Sequence, residues 1–148
     1  MSQSIHLACP HCRSLNRVPA ARLTHHPKCG QCREALFTGH PIALTAADFG
    51  LHSERSDVPL VADFWAPWCG PCRMMAPAYE EATRRLEPHA RLAKINTEEQ
   101  QALASQWRVF SIPTLILFRG GREIARQAGA QSAESIVRWV QSHLSSHT

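Results

Sequence analysis

Three Cys-x-x-Cys pairs, Cys9/Cys12, Cys29/Cys32 and Cys69/Cys72, take up all six cysteines of this chain. No other feature constrains the fold as much, because such a pair either holds a metal or exchanges electrons with another thiol. The opening MSQSIHLACPHC lacks the basic region and apolar run of a signal peptide. No segment reaches the roughly 18 apolar residues of a membrane span. The expected setting is therefore the reducing cytoplasm, with no membrane contact, where three structural disulfides would not persist. With 44% hydrophobic and 19% charged residues, the composition is that of a globular protein.

The first two pairs read Cys-x2-Cys-x16-Cys-x2-Cys, the spacing of a four-cysteine zinc site. Such a site places four soft thiolates tetrahedrally around one Zn2+. Residues 1–37 hold no apolar run able to form a core, and so short a unit usually needs a metal to fold. This defines an N-terminal zinc-binding module at 1–37, with ligands Cys9, Cys12, Cys29 and Cys32. A linker and the start of a strand occupy 38–44. Gly30 and Pro10 are expected to shape the two cysteine turns. His6, His11, His25 and His26 lie nearby, but four cysteines complete the shell and leave them to the surface.

The net charge of +4 also sits in this segment. Residues 1–40 carry Arg13, Arg17, Arg22, Lys28 and Arg33 against Glu34 alone, while the rest of the chain balances. The excess offsets the two negative charges of a four-thiolate zinc site. Phe37 is the one aromatic residue of 1–40, so there is no stacking platform for single strands. Nucleic acid is not an expected partner.

From Pro41 onward the texture changes. Ile42–Leu44 reads as a strand, followed by a helix capped by Thr45 with Asp48 in the capping-box position. Leu60–Trp65 is a near-continuous apolar run, the pattern of a strand covered on both faces. Met75, Ala78, Tyr79, Ala82 and Leu86 recur at helical spacing. A strand at Leu92–Asn96 and a helix around Leu103, Ala104 and Trp107 come next. Thr114–Phe118 and Arg122–Ala128 flank Gly120-Gly121, a hairpin signal. Ile136, Val137, Val140 and Leu144 mark a last helix. This order predicts an α/β fold with a mixed sheet and helices on both faces.

Cys69 and Cys72 have no further thiols with which to close a metal site. They lie between a buried strand and an amphipathic helix, so Cys69 falls at a helix N-terminus, where unpaired N–H groups favour a thiolate. Pro71 is tolerated in a first turn. A cytosolic pair in a βαβ setting reads as redox-active. Asp63 is the one charge in its apolar strand, and burial of an unpaired carboxylate raises its pKa. On spacing alone it is equally a structural carboxyl or a base.

FWAPWCGPC, SIPT at Ser111–Thr114 and Asp63 together resemble the thioredoxins over residues 41–148. With the four-cysteine module and the NRVPAAR between its pairs, the whole chain resembles the zinc-containing bacterial members of that family. The resemblance implies a thioredoxin fold at 45–148 behind a zinc-ribbon-like module. It implies a monomeric protein-disulfide reductase, whose redox-active Cys69–Cys72 disulfide is recycled by NADPH-dependent thioredoxin reductase. Cys69 would attack disulfide-containing protein substrates and Cys72 would resolve the mixed disulfide. Asp63 would accept the Cys72 proton, and Lys94 matches the lysine that approaches that aspartate. Trp68, Gly70, Pro71, Ile112, a cis Pro113 and Gly129 would contact the substrate. Trp65 would be packed, and Pro77 would kink its helix. The alternative is a zinc-dependent binding or redox-sensing module whose contact with a protein or nucleic acid is regulated by the thioredoxin domain.

Overall fold

The computed structural model of the protein describes residues 3–146. β1 (Ser4–Ala8) and β2 (Leu15–Pro19) form an antiparallel pair of their own. Five further strands, β3 (Ile42–Ala43), β4 (Leu60–Trp65), β5 (Arg91–Asn96), β6 (Thr114–Arg119) and β7 (Arg122–Ala128), make one sheet in the order β3-β5-β4-β6-β7. β3, β5 and β4 are parallel, while β6 runs antiparallel to both β4 and β7.

Period-two alternation along the strands sets the two layers. Leu60, Ala62 and Phe64 of β4 join Ile95, Ile116 and Phe118 on one face. α2 (Gln101–Gln106) covers that face through Leu103, and Trp107 and Phe49 meet Phe118 edge-on, with centroids 4.7 and 5.1 Å away. Val61, Leu92, Leu115 and Leu117 point the other way, beneath α1 (Gly70–Leu86) and α3 (Ala133–Ser146). Tyr79 is fully buried there, its hydroxyl 2.8 Å from the Ala93 carbonyl and 3.1 Å from that of Val61, which ties α1 to β4 and β5. Each such buried side chain contributes about 1.5–3 kcal/mol. The alternation puts Asp63 on the α1 face, two residues from Val61. This is the mixed sheet with helices on both faces that the sequence predicts, with Pro77 inside α1.

One helix differs from expectation. Thr45 and Asp48 do form the reciprocal cap, Thr45 N–H donating to Asp48 Oδ1 at 2.8 Å and Ala47 N–H to Thr45 Oγ1 at 3.2 Å. Beyond the cap the chain makes a single wide turn with π geometry at Leu51–Arg55. The turn stops because Ser53 gives its carbonyl to Gly121 N–H (2.8 Å), and Ser56 and Asp57 are drawn away by the N-terminal module. The Gly120-Gly121 turn has φ of +60° and +78°, a conformation that glycine adopts without strain.

The module is seated on the larger unit. His6 N–H donates to Asp57 Oδ2 (2.6 Å), Asp57 N–H to the His6 carbonyl (2.7 Å), and Ala8 N–H to Ser56 Oγ (2.9 Å). Leu7, Val18 and Leu36 make a small cluster that Val58 completes from outside the module. That contact explains how a segment without its own core still excludes water.

Candidate active site and metal centre

β4 runs into Ala66-Pro67-Trp68, and the chain then turns directly into α1 with Cys69 as its N-cap. Cys69 and Cys72 are joined by a disulfide, with Cα atoms 5.3 Å apart. Cys72 N–H donates to Cys69 Sγ at 3.2 Å, so a free first-turn amide of the helix serves the sulfur. Gly70 and Pro71 are the first two residues of α1. The pair packs against Ala66, Trp65 and Ile112.

The opposite wall comes from the segment leading into β6. Cys69 Sγ lies 3.8 Å from the Ile112 carbonyl oxygen, and the Ile112–Pro113 bond is cis. Gly129 N–H donates to the Pro113 carbonyl at 2.8 Å. Its φ is +96° and a Cβ there would meet no atom within 4 Å, so backbone conformation, not crowding within the chain, calls for glycine. Trp68 is 66% exposed beside the pair, and Met74 and Phe110 are more exposed still.

Asp63 is 1% exposed, and its Oδ1 has no hydrogen-bond partner among the described residues. Burial pushes its pKa up to about 7, with Lys94 pulling the other way. Lys94 is its register partner on β5, and the Lys94 ammonium sits 4.2 Å from the centroid of the Trp65 ring. Asp63 in turn helps burial raise the Tyr79 pKa, so the carboxyl lies within electrostatic reach of the middle of α1.

The other four cysteines form a second cluster. Cys9 and Cys32 sulfurs are 3.6 Å apart, Cys12 and Cys29 sulfurs 3.5 Å, and all four lie within 4.8 Å of one another. A tetrahedron of about 2.3 Å metal–sulfur bonds has edges near 3.8 Å, so the four groups fit a single ion. Their surroundings suit thiolates. Amides of His11 and Cys12 point at Cys9 Sγ (3.3 and 3.4 Å), and the Gln31 amide and Asn16 Nδ2 at Cys29 Sγ (both 3.4 Å). Histidine stays outside: His11 Nε2 meets the Ala35 carbonyl and His6 meets Asp57.

Two details add to the turn chemistry expected from the sequence. In both turns the residue directly after the second cysteine has a positive φ, Arg13 at +68° and Arg33 at +70°. Gly30 instead gives its N–H to Asn16 Oδ1 at 2.8 Å. Asn16 thereby buttresses the second pair through both ends of its amide, a role that spacing alone did not single out.

The two units match two sequence families. A profile described as Thioredoxin matches residues 40–142, and one described as Thioredoxin 2, N-terminal, matches residues 8–34. Thioredoxin C-3 of Corynebacterium nephridii is 40% identical over 138 residues, covering 93% of this chain and 94% of that protein. The chain belongs to the thioredoxin family. Its two-part organisation is that of the zinc-containing thioredoxin 2 type, and like other thioredoxins it is a protein-disulfide oxidoreductase. Thioredoxin 1 of Nostoc sp. is 44% identical over 89 residues, 60% of this chain and 83% of the relative. A mutant thioredoxin of Halobacterium salinarum shares the fold with a TM-score of 0.66 and 31% identity, covering 73% of this chain and 94% of that one. No helix among the described residues is long and apolar enough to cross a membrane.

Proposed function

We propose that this thioredoxin reduces disulfides of cytosolic proteins through Cys69 and Cys72 and is recycled by an NADPH-dependent thioredoxin reductase. The observation that carries the reading is the placement of Cys69 Sγ. It caps α1, receives the Cys72 amide at 3.2 Å and faces the Ile112 carbonyl at 3.8 Å. In the reduced protein the Cys69 thiolate attacks one sulfur of a substrate disulfide, and the other sulfur leaves as a thiolate. Asp63 takes the proton of Cys72, directly or through water. The Cys72 thiolate then attacks Cys69 Sγ, the mixed disulfide breaks, and the second substrate thiolate departs. The Cys69–Cys72 bond now holds the oxidation that the substrate has lost.

The remaining residues position the substrate. Trp68, with Gly70 and Pro71, forms the rim on the α1 side; Ile112, Pro113 and Gly129 offer backbone along the other side. Lys94 biases Asp63 electrostatically. Residues 1–37 are the zinc-binding module, 38–44 a linker and 45–148 the thioredoxin domain. Cys9, Cys12, Cys29 and Cys32 would hold one Zn2+, which when bound supplies a structural cross-link and no step of the reaction.

Turnover of NADPH in the presence of thioredoxin reductase and a disulfide-bonded protein tests this reading. Steady consumption that disappears in Cys69→Ser is expected. Full activity in Cys69→Ser would refute it, and no consumption by the wild type would mean a different electron donor or the oxidising direction.

A further inference from the structure

Arg91, the first residue of β5, is the largest fully buried side chain among the described residues, at 1% exposure. It belongs to the thioredoxin domain, yet its guanidinium points into the module. Nη2 donates to the Ala8 carbonyl at 3.2 Å, immediately before Cys9, and the Phe37 ring covers the guanidinium carbon at 4.4 Å. Nη1 is buried without a hydrogen-bond partner, and no carboxylate among the described residues lies within ion-pair distance of Arg91. The titratable groups that face it are Glu87, Cys9 and His52. Glu87 has given Oε1 to the Gly39 amide at 2.9 Å, and His52 is a base that burial and a neighbouring cation keep neutral. Glu87 still attracts Arg91 across a longer distance, with Oε2 buried and unpartnered, but a buried cation that has no ion pair of its own costs several kcal/mol. What is missing is a negative charge on the module side.

A divalent ion held by four thiolates carries a net charge of −2, whereas four protonated thiols carry none. We infer that Arg91 is the counter-charge of the metal centre, a positioning residue lent by the thioredoxin domain that strengthens metal binding and docks the module. The module's own arginines do not fill this role: Arg13, Arg17, Arg22 and Arg33 are all exposed on its surface, where solvent screens them. Arg91, by contrast, faces Cys9 out of water, where a charge interaction is strongest. Docking and metal binding are then linked. The ion makes the Arg91 contact favourable, and by reciprocity the docked Arg91 raises affinity for the ion.

This inference rests on reading the four cysteines as a metal centre, so the experiment begins with zinc content and affinity of the full-length wild type. Absence of bound zinc there overturns the metal reading itself. With zinc bound, affinity is measured by competition with a chromogenic chelator for Arg91→Met, Arg91→Gln and Arg91→Lys. Gln keeps a donor for the Ala8 carbonyl without the charge, and Lys keeps the charge. Loss of affinity by about tenfold or more in Met and Gln, with most of it retained in Lys, is expected. Wild-type affinity in Gln or Met overturns the inference, since the charge is what both have lost.

Melting temperatures separate a counter-charge from ordinary packing. The Met and Gln variants should melt below the wild type when zinc-loaded, but at or above it after chelation, where the cation has no partner. An equal drop in both states would mean that Arg91 is merely structural. Two neutral variants of different shape keep the test alive if one fails to fold.

Discussion

Lys94 stands opposite Asp63 in the β4–β5 ladder, but its ammonium lies over the Trp65 ring, 4.2 Å from the centroid, and does not pair with the carboxylate. Asp63 is thus buried with one oxygen unpartnered and a pKa near 7. The desolvation is retained on β4, the strand that leads into the redox pair, where a base that titrates near neutral pH is useful.

The stability consequence has a definite sign. In the unfolded chain Asp63 ionises near its ordinary value of about 4, while in the folded protein it stays protonated until about pH 7. Below pH 4 both states are protonated and the residue costs nothing. The cost accrues between pH 4 and 7 and is constant above. Asp63→Asn should therefore stabilise the protein by up to about 4 kcal/mol at pH 8, falling towards zero at pH 4. Urea unfolding at a series of pH values measures this. The same variant should slow release from the mixed disulfide by about tenfold or more at neutral pH.

Removing the resolving sulfur should stop the cycle halfway. In Cys72→Ser the Cys69 thiolate still attacks, but nothing within reach displaces it, so substrates accumulate as covalent adducts. Non-reducing electrophoresis, with mass spectrometry of the adduct, should place the linkage at Cys69. Adducts at Cys9, Cys12, Cys29 or Cys32 instead would move the chemistry to the other cluster.

Gly129 is the third test. At φ +96°, with its N–H on the Pro113 carbonyl, an added Cβ strains the backbone even though open space surrounds it. Gly129→Ala should lose about 1–2 kcal/mol of stability. It should also raise KM for protein disulfides more than it lowers kcat, since the strand end beside Pro113 would shift. A change confined to kcat would argue against a substrate-facing role.

The sheet was legible because two of its strands are apolar at nearly every position: Leu60 through Trp65 and Thr114 through Phe118 betray both of their covered faces. The cysteine pairs were legible because their spacing is local. The Leu51–Arg55 turn was not, since hydrogen bonds from Gly121 and the module end it, and those partners lie far away in sequence. Arg91 escaped for the same reason. In the sequence it is one more basic residue at the edge of a strand. Only docking of the module over β5 turns it into a buried charge.

Asn16 was hidden as well, although it lies inside the zinc-binding segment. Its Nδ2 reaches Cys29 Sγ at 3.4 Å, while its Oδ1 accepts the Gly30 amide at 2.8 Å, so one side chain fixes both the sulfur and the turn that carries it. Thiolate ligands held this way bind metal more tightly, and loss of such a partner typically costs about tenfold to a hundredfold in affinity. Asn16→Ala should release zinc to a chelator correspondingly faster, whereas Asn16→Asp should do worse still, because a carboxylate would face Cys29 Sγ. The Cys69–Cys72 reduction, being outside the module, should proceed in both variants at nearly the wild-type rate. Zinc retention in Asn16→Ala equal to the wild type would show that the backbone amides of His11, Cys12 and Gln31 suffice on their own.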